Sequence, residues 1–439
     1  MRAWKLSVYS AILFSVALVL VAQEVPQQIS KFDRLIAQDM LKTVTDDVRK
    51  HYYDPKMHGL DWAAKVAEAK QRIEKADSWN MALSEIAAVL DSLNDSHTLF
   101  FPPPRANRYD YGWQYQMIGE HCFVTRVRPK SDTEARGVKS GDEILTLNGY
   151  HPTRHNLWKM KYLSLVLQPQ PALRAGLQDP AGKQRQVDVP ARIHEGQGYG
   201  TLAGGGDIWD RERRKENTEL LLNVRDVEFG EQLMVLKVPE FYFSISKIAT
   251  VISKARKYPA LILDLRGNPG GNIENLKYLI GSMFDKDVKI ADLVGRKESK
   301  TEIAKVESQQ FPGKLIVLVD ADSGSASELF ARVMQIEKRG VVIGDHTSGS
   351  VMGAERYREK TGIGRVVVYS TSVSEWDPVM ADGKSLEHNG VTPDEIVLPS
   401  AEDLSSGRDP AMARAAELLG VKVSPAEAGK MFPYEWLPE

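Results

Sequence analysis

The sequence reads as an α/β protein: a mostly parallel βαβ core carrying a smaller β unit, with a helical unit ahead of both. Three observations lead there. From about residue 219 to 399, short apolar runs (234–238, 260–265, 315–319) alternate with amphipathic stretches (245–255, 272–283, 326–336), the pattern of strands joined by crossover helices. Between about 107 and 193 the period shortens to that of strands separated by glycine turns. Between about 30 and 93 the spacing is helical, as at Ile36, Met40, Val44 and Val48.

At 439 residues the chain is long enough for two or three domains, and 42% hydrophobic with 26% charged residues is ordinary for a globular protein. A net charge of -2 gives no reason to expect nucleic acid or an anionic membrane surface as partner. Arg2 and Lys5 precede an apolar run at 11–22 that ends in Ala22, the layout of a secretory signal over residues 1–22. The expected location is therefore periplasmic or extracellular. The run is short for a membrane span, so the membrane enters only as an anchor if this segment stays uncleaved. Cys122 is the single cysteine, which excludes an intrachain disulfide and a Cys/His metal cluster.

Taken in order, residues 23–104 are expected to form the helical unit, with further helical runs at 62–73 and 79–93. It closes on Asn94-Asp95-Ser96-His97-Thr98 and a break at Pro102-Pro103-Pro104. Residues 105–194 carry the β unit. Within it Gly137-Val138 leads through Gly141-Asp142 and Ile144 to Asn148-Gly149, a glycine turn feeding a strand that ends in a hairpin-type pair. This pattern resembles a PDZ-like domain, and the resemblance implies binding of an extended peptide by strand addition. A small β unit without a ligand is the other reading. Residues 195–217, with Gly204-Gly205-Gly206 and the charged run 211–215, read as a linker or insertion, and one that could lie over an active site. The core is expected at 218–400, and 401–439 reads as a tail with one helix at 410–419 and a loosely packed end.

Four local signals bear on chemistry. The run 315–319 reads as a buried strand, turns at Ala321-Asp322-Ser323-Gly324, and continues into a helix from Ser325-Ala326-Ser327-Glu328. A serine at a strand-to-helix turn is where a nucleophile can sit, because the helix start aims free N–H groups at a developing oxyanion. The same four residues are also a capping box, which would make Ser325 an ordinary N-cap. Asp264-Leu265-Arg266-Gly267-Asn268-Pro269-Gly270-Gly271 follows a buried strand, and its glycines allow backbone N–H groups to converge on an anion. Without the Lys-Ser/Thr of a P-loop, phosphate is the weaker choice. His97 beside Ser96 is a candidate base or a structural histidine. Thr347-Ser348-Gly349-Ser350 is a second small-residue loop, and Glu387-His388-Asn389-Gly390-Val391-Thr392-Pro393-Asp394 sets a carboxylate before a turn.

In this order these segments resemble the carboxyl-terminal processing (tail-specific) serine peptidases and their relatives, the tricorn protease core and the interphotoreceptor retinoid-binding modules. The resemblance implies a ClpP/crotonase-like core with an inserted PDZ-like domain. It implies Ser325 as nucleophile, ahead of Ser323 and Ser327, and maps the oxyanion donors onto backbone N–H groups at Gly270 or Gly271 and at Ala326. Bacterial tail-specific peptidases place a lysine in the following glycine loop. Here that position is Ser350, and the loop has no lysine. The tricorn-like branch instead uses a serine-histidine pair with a distant glutamate, and Ser96, His97 and Glu387 match it. The implied machinery is a tetrad in which His97 is the base and Ser96 and Glu387 orient it, with no metal or other cofactor. The implied function is an exported serine endopeptidase acting on extended polypeptide. A catalytically silent binding protein on the same scaffold and a hydrolase of small esters or amides are the alternatives.

Overall fold

The computed structural model describes residues 29–195, 223–362, 366–434 and 436. The signal-type leader and all but the first residue of the linker region at 195–217 lie outside these. Among the described residues no helix is long and apolar enough to cross a membrane.

Three helices, Lys31–His51, Trp62–Lys75 and Trp79–Asp91, form the N-terminal unit. Each starts on a side-chain cap: Ser30 accepts from Asp33 N–H, Asp61 from Ala64 N–H and Ser78 from Met81 N–H, satisfying donors that have no partner inside the helix. Ile36, Met40, Val44 and Val48 point inward together, as their spacing requires. The unit is stitched to the rest of the chain by a strand of three residues, Leu99–Phe101. This strand pairs antiparallel with Val367–Met380 in the register Leu99↔Ser372. Phe100, fully buried between the helices and Tyr369, anchors it, a burial that contributes about 2 kcal/mol.

The core is a six-stranded sheet. Leu233–Lys237, Ala260–Asp264, Lys314–Val319 and Val341–Gly344 lie side by side and parallel. Glu395–Ile396 extends one edge in parallel and Arg225–Phe229 the other in antiparallel. Helices Ile245–Ala255, Ile273–Gly281 and Ala326–Ile336 make the crossovers and bury one face through Ile252, Leu279, Phe330 and Val333. Between the second helix and Lys314, the chain detours through Val288–Gly295 and Ser299–Ala304. These join Val367–Met380, Gly353–Thr361 and Leu99–Phe101 in a second, antiparallel sheet. The α/β class read from the sequence is the class observed.

The other face of the core sheet is covered by the C-terminal tail, which differs from the single helix with a loose end expected above. Caps at Ser400, Asp409 and Ser424 start three short helices, Ala401–Ser405, Pro410–Leu418 and Pro425–Ala428. Ala411, Met412, Ala415 and Ala416 lie flat against Leu233, Ile262, Ile316 and Ile343. Small side chains let this helix approach the sheet closely, and an alanine-rich stretch gives little hydrophobic signal when read alone.

The smaller β unit is an antiparallel sheet in the order Trp113–Ile118, His121–Val127, Glu143–Leu147, Ala172–Gln178, Gln184–Pro190. Trp113, Tyr115, Val124, Ile144 and Leu177 fill its interior. Asn148 (φ 50°) and Gly149 (φ 87°) form the expected tight turn, but it closes only on the bridge Leu147↔Tyr150 before the chain leaves for the helix Leu157–Tyr162. One arginine ties the unit to the core. Arg154 donates to Asp345 Oδ2 at 2.6 Å, to the His346 carbonyl at 3.1 Å and to the Gly119 carbonyl at 2.9 Å, while Gly119 N–H donates to the same Asp345 oxygen at 2.8 Å.

Candidate active site

Ser325 stands at the turn between Lys314–Val319 and the helix Ala326–Ile336, with φ 52° and ψ -118°. This backbone conformation is costly for a residue with a Cβ, about 1–3 kcal/mol, and persists only where its surroundings impose it. They do so here. The Ser325 N–H donates to the Ser350 carbonyl at 2.7 Å and to Glu328 Oε2 at 3.0 Å. The Glu328 and Leu329 N–H groups donate to the Ser325 carbonyl at 2.9 and 3.1 Å. Gly270 (φ 103°) lies directly against the turn: a Cβ there would sit 2.5 Å from Ser325 Cβ and 2.9 Å from Ala326 N, so no other residue fits.

The competing serines are spent on structure. Ser323 Oγ donates to the Leu265 carbonyl and Ser327 Oγ to the Asn268 carbonyl, each at 2.9 Å, and both side chains are fully buried. Ser325 keeps partial exposure.

Asn268 ties the glycine loop to this turn. Its carbonyl accepts from Gly324 N–H at 2.9 Å, and its side chain bridges Gly270 N–H and the Val238 carbonyl, each at 2.8 Å. This corrects one expectation: the Gly270 N–H already donates to Asn268 Oδ1, so it is not free to meet an oxyanion. Gly271 N–H and Ala326 N–H have no acceptor among the described residues, and these two remain the available donors. Arg266 braces the base of the loop with paired bonds to Asp264 (2.9 and 2.9 Å) and to Asp409 of the tail (2.9 and 2.8 Å). Although burial opposes it, Arg266 and Lys237 hold the Asp264 carboxyl well below its ordinary value.

Ser96, His97 and Glu387 are brought together. Ser96 Oγ lies 2.7 Å from His97 Nδ1 and donates to Glu387 Oε2 at 2.9 Å, while Ser96 N–H donates to Glu387 Oε1 at 2.7 Å. A hydroxyl has one proton. If it goes to the carboxylate, the oxygen must accept from Nδ1–H, which leaves Nε2 with its lone pair. Burial pushes the imidazole below its ordinary value, against the pull of Asp95, and so favours the neutral ring. Burial also pushes the Glu387 carboxyl up, against the N–H groups of Val351 and Ser96.

Sequence reasoning missed what presents the histidine. Asp95 Oδ1 accepts from His97 N–H (2.9 Å), Thr98 N–H (2.7 Å) and Ser374 Oγ (2.7 Å), which fixes the turn on the second sheet. An aspartate two residues before a candidate base, facing its own backbone N–H groups, is the local signal of such a turn.

Among the described residues no hydrogen bond joins His97 to Ser325. The two halves of the site meet instead through consecutive residues of one loop. The Ser350 carbonyl accepts from Ser325 N–H at 2.7 Å, and Val351 N–H donates to Glu387 Oε2 at 3.0 Å. That loop is folded around Glu328. Its carboxylate, fully buried, accepts from Gly349 N–H (2.8 Å), Ser350 N–H (2.9 Å), Ser325 N–H (3.0 Å), Thr347 Oγ1 (2.5 Å) and Ser348 Oγ (3.3 Å). Burial pushes this carboxyl up to about 7 in spite of its five donors. Read from the sequence, Glu328 was half of a capping box; in the structure it is the hub of the site.

Comparison with known proteins gives the same direction. Residues 232–397 match the model of peptidase family S41. Tricorn protease homolog 2 of Streptomyces coelicolor is 24% identical over 405 residues, 84% of this chain and 31% of that protein. The tail-specific protease of Haemophilus influenzae is 36% identical over 126 residues, 27% of this chain and 18% of that one. The carboxy-terminal processing protease CtpA of Bacillus subtilis is 23% identical over 339 residues, 73% of this chain and 64% of that one. The chain thus spans less than two thirds of each. Among solved structures, mature CPAF superposes with a TM-score of 0.64 at 14% identity, covering 85% of this chain and 94% of that one. The photosystem II D1 C-terminal processing protease gives 0.53 at 18% identity, covering 89% and 99%. These two share the fold. Residues 232–397, the segment that matches peptidase family S41, hold the strained serine, the glycine loops and the distant glutamate described above.

Proposed function

We propose that the chain is a serine endopeptidase acting on extended polypeptide. The observation that carries the reading is the Ser96 hydroxyl bridging His97 Nδ1 and the Glu387 carboxylate, held one residue along the loop from the backbone partner of Ser325. Ser325 Oγ attacks the peptide carbonyl carbon and its proton passes to His97 Nε2. The carbonyl oxygen, now an anion, is received by the N–H groups of Gly271 and Ala326, at the positive end of the helix Ala326–Ile336. His97 returns the proton to the amine as the C–N bond breaks, then takes one from the water that attacks the acyl-enzyme and passes it to Ser325 Oγ as the ester bond breaks. Ser96 and Glu387 keep Nδ1 protonated throughout and stabilise the imidazolium. The Ser325–His97 hydrogen bond forms when substrate enters, as such contacts tighten in the complex.

The polypeptide enters through the cleft of about 2590 Å³ between the small sheet and the core, whose walls include Gly267 and Pro269 together with the edge strand Trp113–Ile118. That edge strand is the place for PDZ-like strand addition. Export rests on the charged-then-apolar segment at 1–22.

A fluorophosphonate probe tests the chemistry. Stoichiometric labelling, abolished in Ser325→Ala and reduced about 10³-fold in His97→Ala, is expected. Folded wild type that takes no label refutes the enzyme and leaves a silent binding scaffold. A His97→Ala variant labelled at the wild-type rate refutes the base.

A further inference from the structure

Next to the last described residues, three aromatic rings from alternate positions stack on three arginines. The Arg225 guanidinium lies 5.5 Å from the Phe432 ring centroid, Arg126 lies 4.7 Å from Tyr434, and Arg128 lies 4.7 Å from Trp436. Tyr434 and Trp436 pack edge to face at 5.1 Å, the Tyr434 hydroxyl bonds Gln114, and the Pro433 carbonyl accepts from Arg225 at 3.3 Å. The sheet side of this contact has the same two-residue repeat. Arg126 and Arg128 alternate along the chain at the end of His121–Val127, and Gln114 is the cross-strand partner of Arg126. These side chains lie on the opposite face of the sheet from Trp113, Tyr115 and Val124, which fill its core. Arg126 has no carboxylate within ion-pair distance among the described residues, so the ring face is the electron-rich group it meets.

We propose that this outer face is a binding site for an extended peptide with aromatic side chains at alternate positions, and that the chain's own Phe432, Tyr434 and Trp436 fill it. It reads rings with guanidinium planes on a sheet face, which is distinct from strand addition at a sheet edge. The occupant also bridges two units. Phe432 packs on the core beside Phe229 and Met431, and Arg225 belongs to the core edge strand, whereas Tyr434 and Trp436 sit on the small sheet. Both of the latter line the cleft whose walls also include Gly267 and Pro269. On the reading proposed above, the segment therefore stands in the path of an incoming polypeptide and must be displaced by it.

The site is vacated by combining Tyr434→Ala and Trp436→Ala in the full chain. Its probe is a fluorescein-labelled peptide of residues 431–436, followed by anisotropy. The vacated protein should bind this peptide saturably and on the order of tenfold tighter than wild type, whose site is filled in cis. Adding Arg126→Lys and Arg128→Lys, which keep the charge but not the planar stack, should remove most of that binding. Equal binding by wild type and the vacated protein, or binding indifferent to the lysines, overturns the proposal. The kinetic arm rests on peptidase activity. The vacated protein should cleave a denatured polypeptide on the order of tenfold faster, with fluorophosphonate labelling of Ser325 unchanged. Unchanged or slower cleavage overturns the obstructing role. If the chain cleaves nothing, the proposed function fails while the anisotropy result still decides the site.

Discussion

Glu328→Gln is the substitution that probes the site most directly. The wild-type carboxylate has two oxygens facing five donors. The amide keeps one acceptor and turns its NH₂ towards groups that themselves donate. Ser325 N–H retains the Ser350 carbonyl, but one of the Gly349 and Ser350 N–H groups loses its acceptor, as does one hydroxyl. At about 1–3 kcal/mol for each stranded buried group, the expected loss of stability is about 3 kcal/mol. A second effect has the opposite sign and a pH window set by the burial of this carboxyl. Folding raises this carboxyl from 4.5 to about 7, so the folded chain holds a proton that the unfolded chain has released. Its contribution to stability is complete below about pH 4.5 and falls as pH rises to about 7, by about 3 kcal/mol at 1.36 kcal/mol per unit. Glutamine does not titrate. Denaturant unfolding of both proteins between pH 4.5 and 8 should therefore show a large deficit for the variant at acid pH that shrinks towards neutrality. Labelling of Ser325 by fluorophosphonate should fall about 10²-fold in the variant because the loop between Ser325 and Glu387 loses its hub. Parallel stability curves across that pH range, together with wild-type labelling, would refute the assignment of Glu328 as a buried, proton-taking hub.

Three further outcomes follow from distances given above. Gly270→Ala forces a Cβ to 2.5 Å from Ser325 Cβ at a φ of 103°, and should cost about 3 kcal/mol in unfolding experiments and remove labelling. Glu387→Gln leaves the imidazole in place but removes the charge that stabilises its protonated form, so kcat should drop about 10²-fold with KM little changed in steady-state kinetics. Asp409→Ala frees one side of Arg266 and should slow labelling about tenfold while raising hydrogen exchange across residues 264–271.

The strand and helix alternation of the core was legible because each βαβ step writes its own short-range period. So was the turn at Ser325, where an apolar run ends in small residues. The meeting of Ser96, His97 and Glu387 was legible only through the order of motifs, since nothing local links Ser96 to Glu387. What stayed hidden depended on side-chain direction. Glu328 at the third position of a helix has the same sequence signature whether it only caps that helix or, as here, also enters the interior to gather the loop at 347–350. Whether Gly270 or Gly271 keeps a free N–H turns on where one Asn268 rotamer points. The tail was under-read because its buried face is built from alanines, and because Asp409 finds Arg266 far away in the sequence.

The order in which the site's pieces occur along the chain has a consequence for timing. Ser96 and His97 are made early and are drawn to the core by the short strand Leu99–Phe101. That strand's partner lies within Val367–Met380, and Glu387 comes later still. Contacts this distant in sequence are among the last to form, because closing so long a loop costs entropy before any pairing offsets it. A chain threading out amino end first therefore carries a lone imidazole and then a lone hydroxyl, with nothing to activate either. On the function proposed above, peptide hydrolysis is therefore withheld until the segment carrying Glu387 has arrived and closed on the earlier ones.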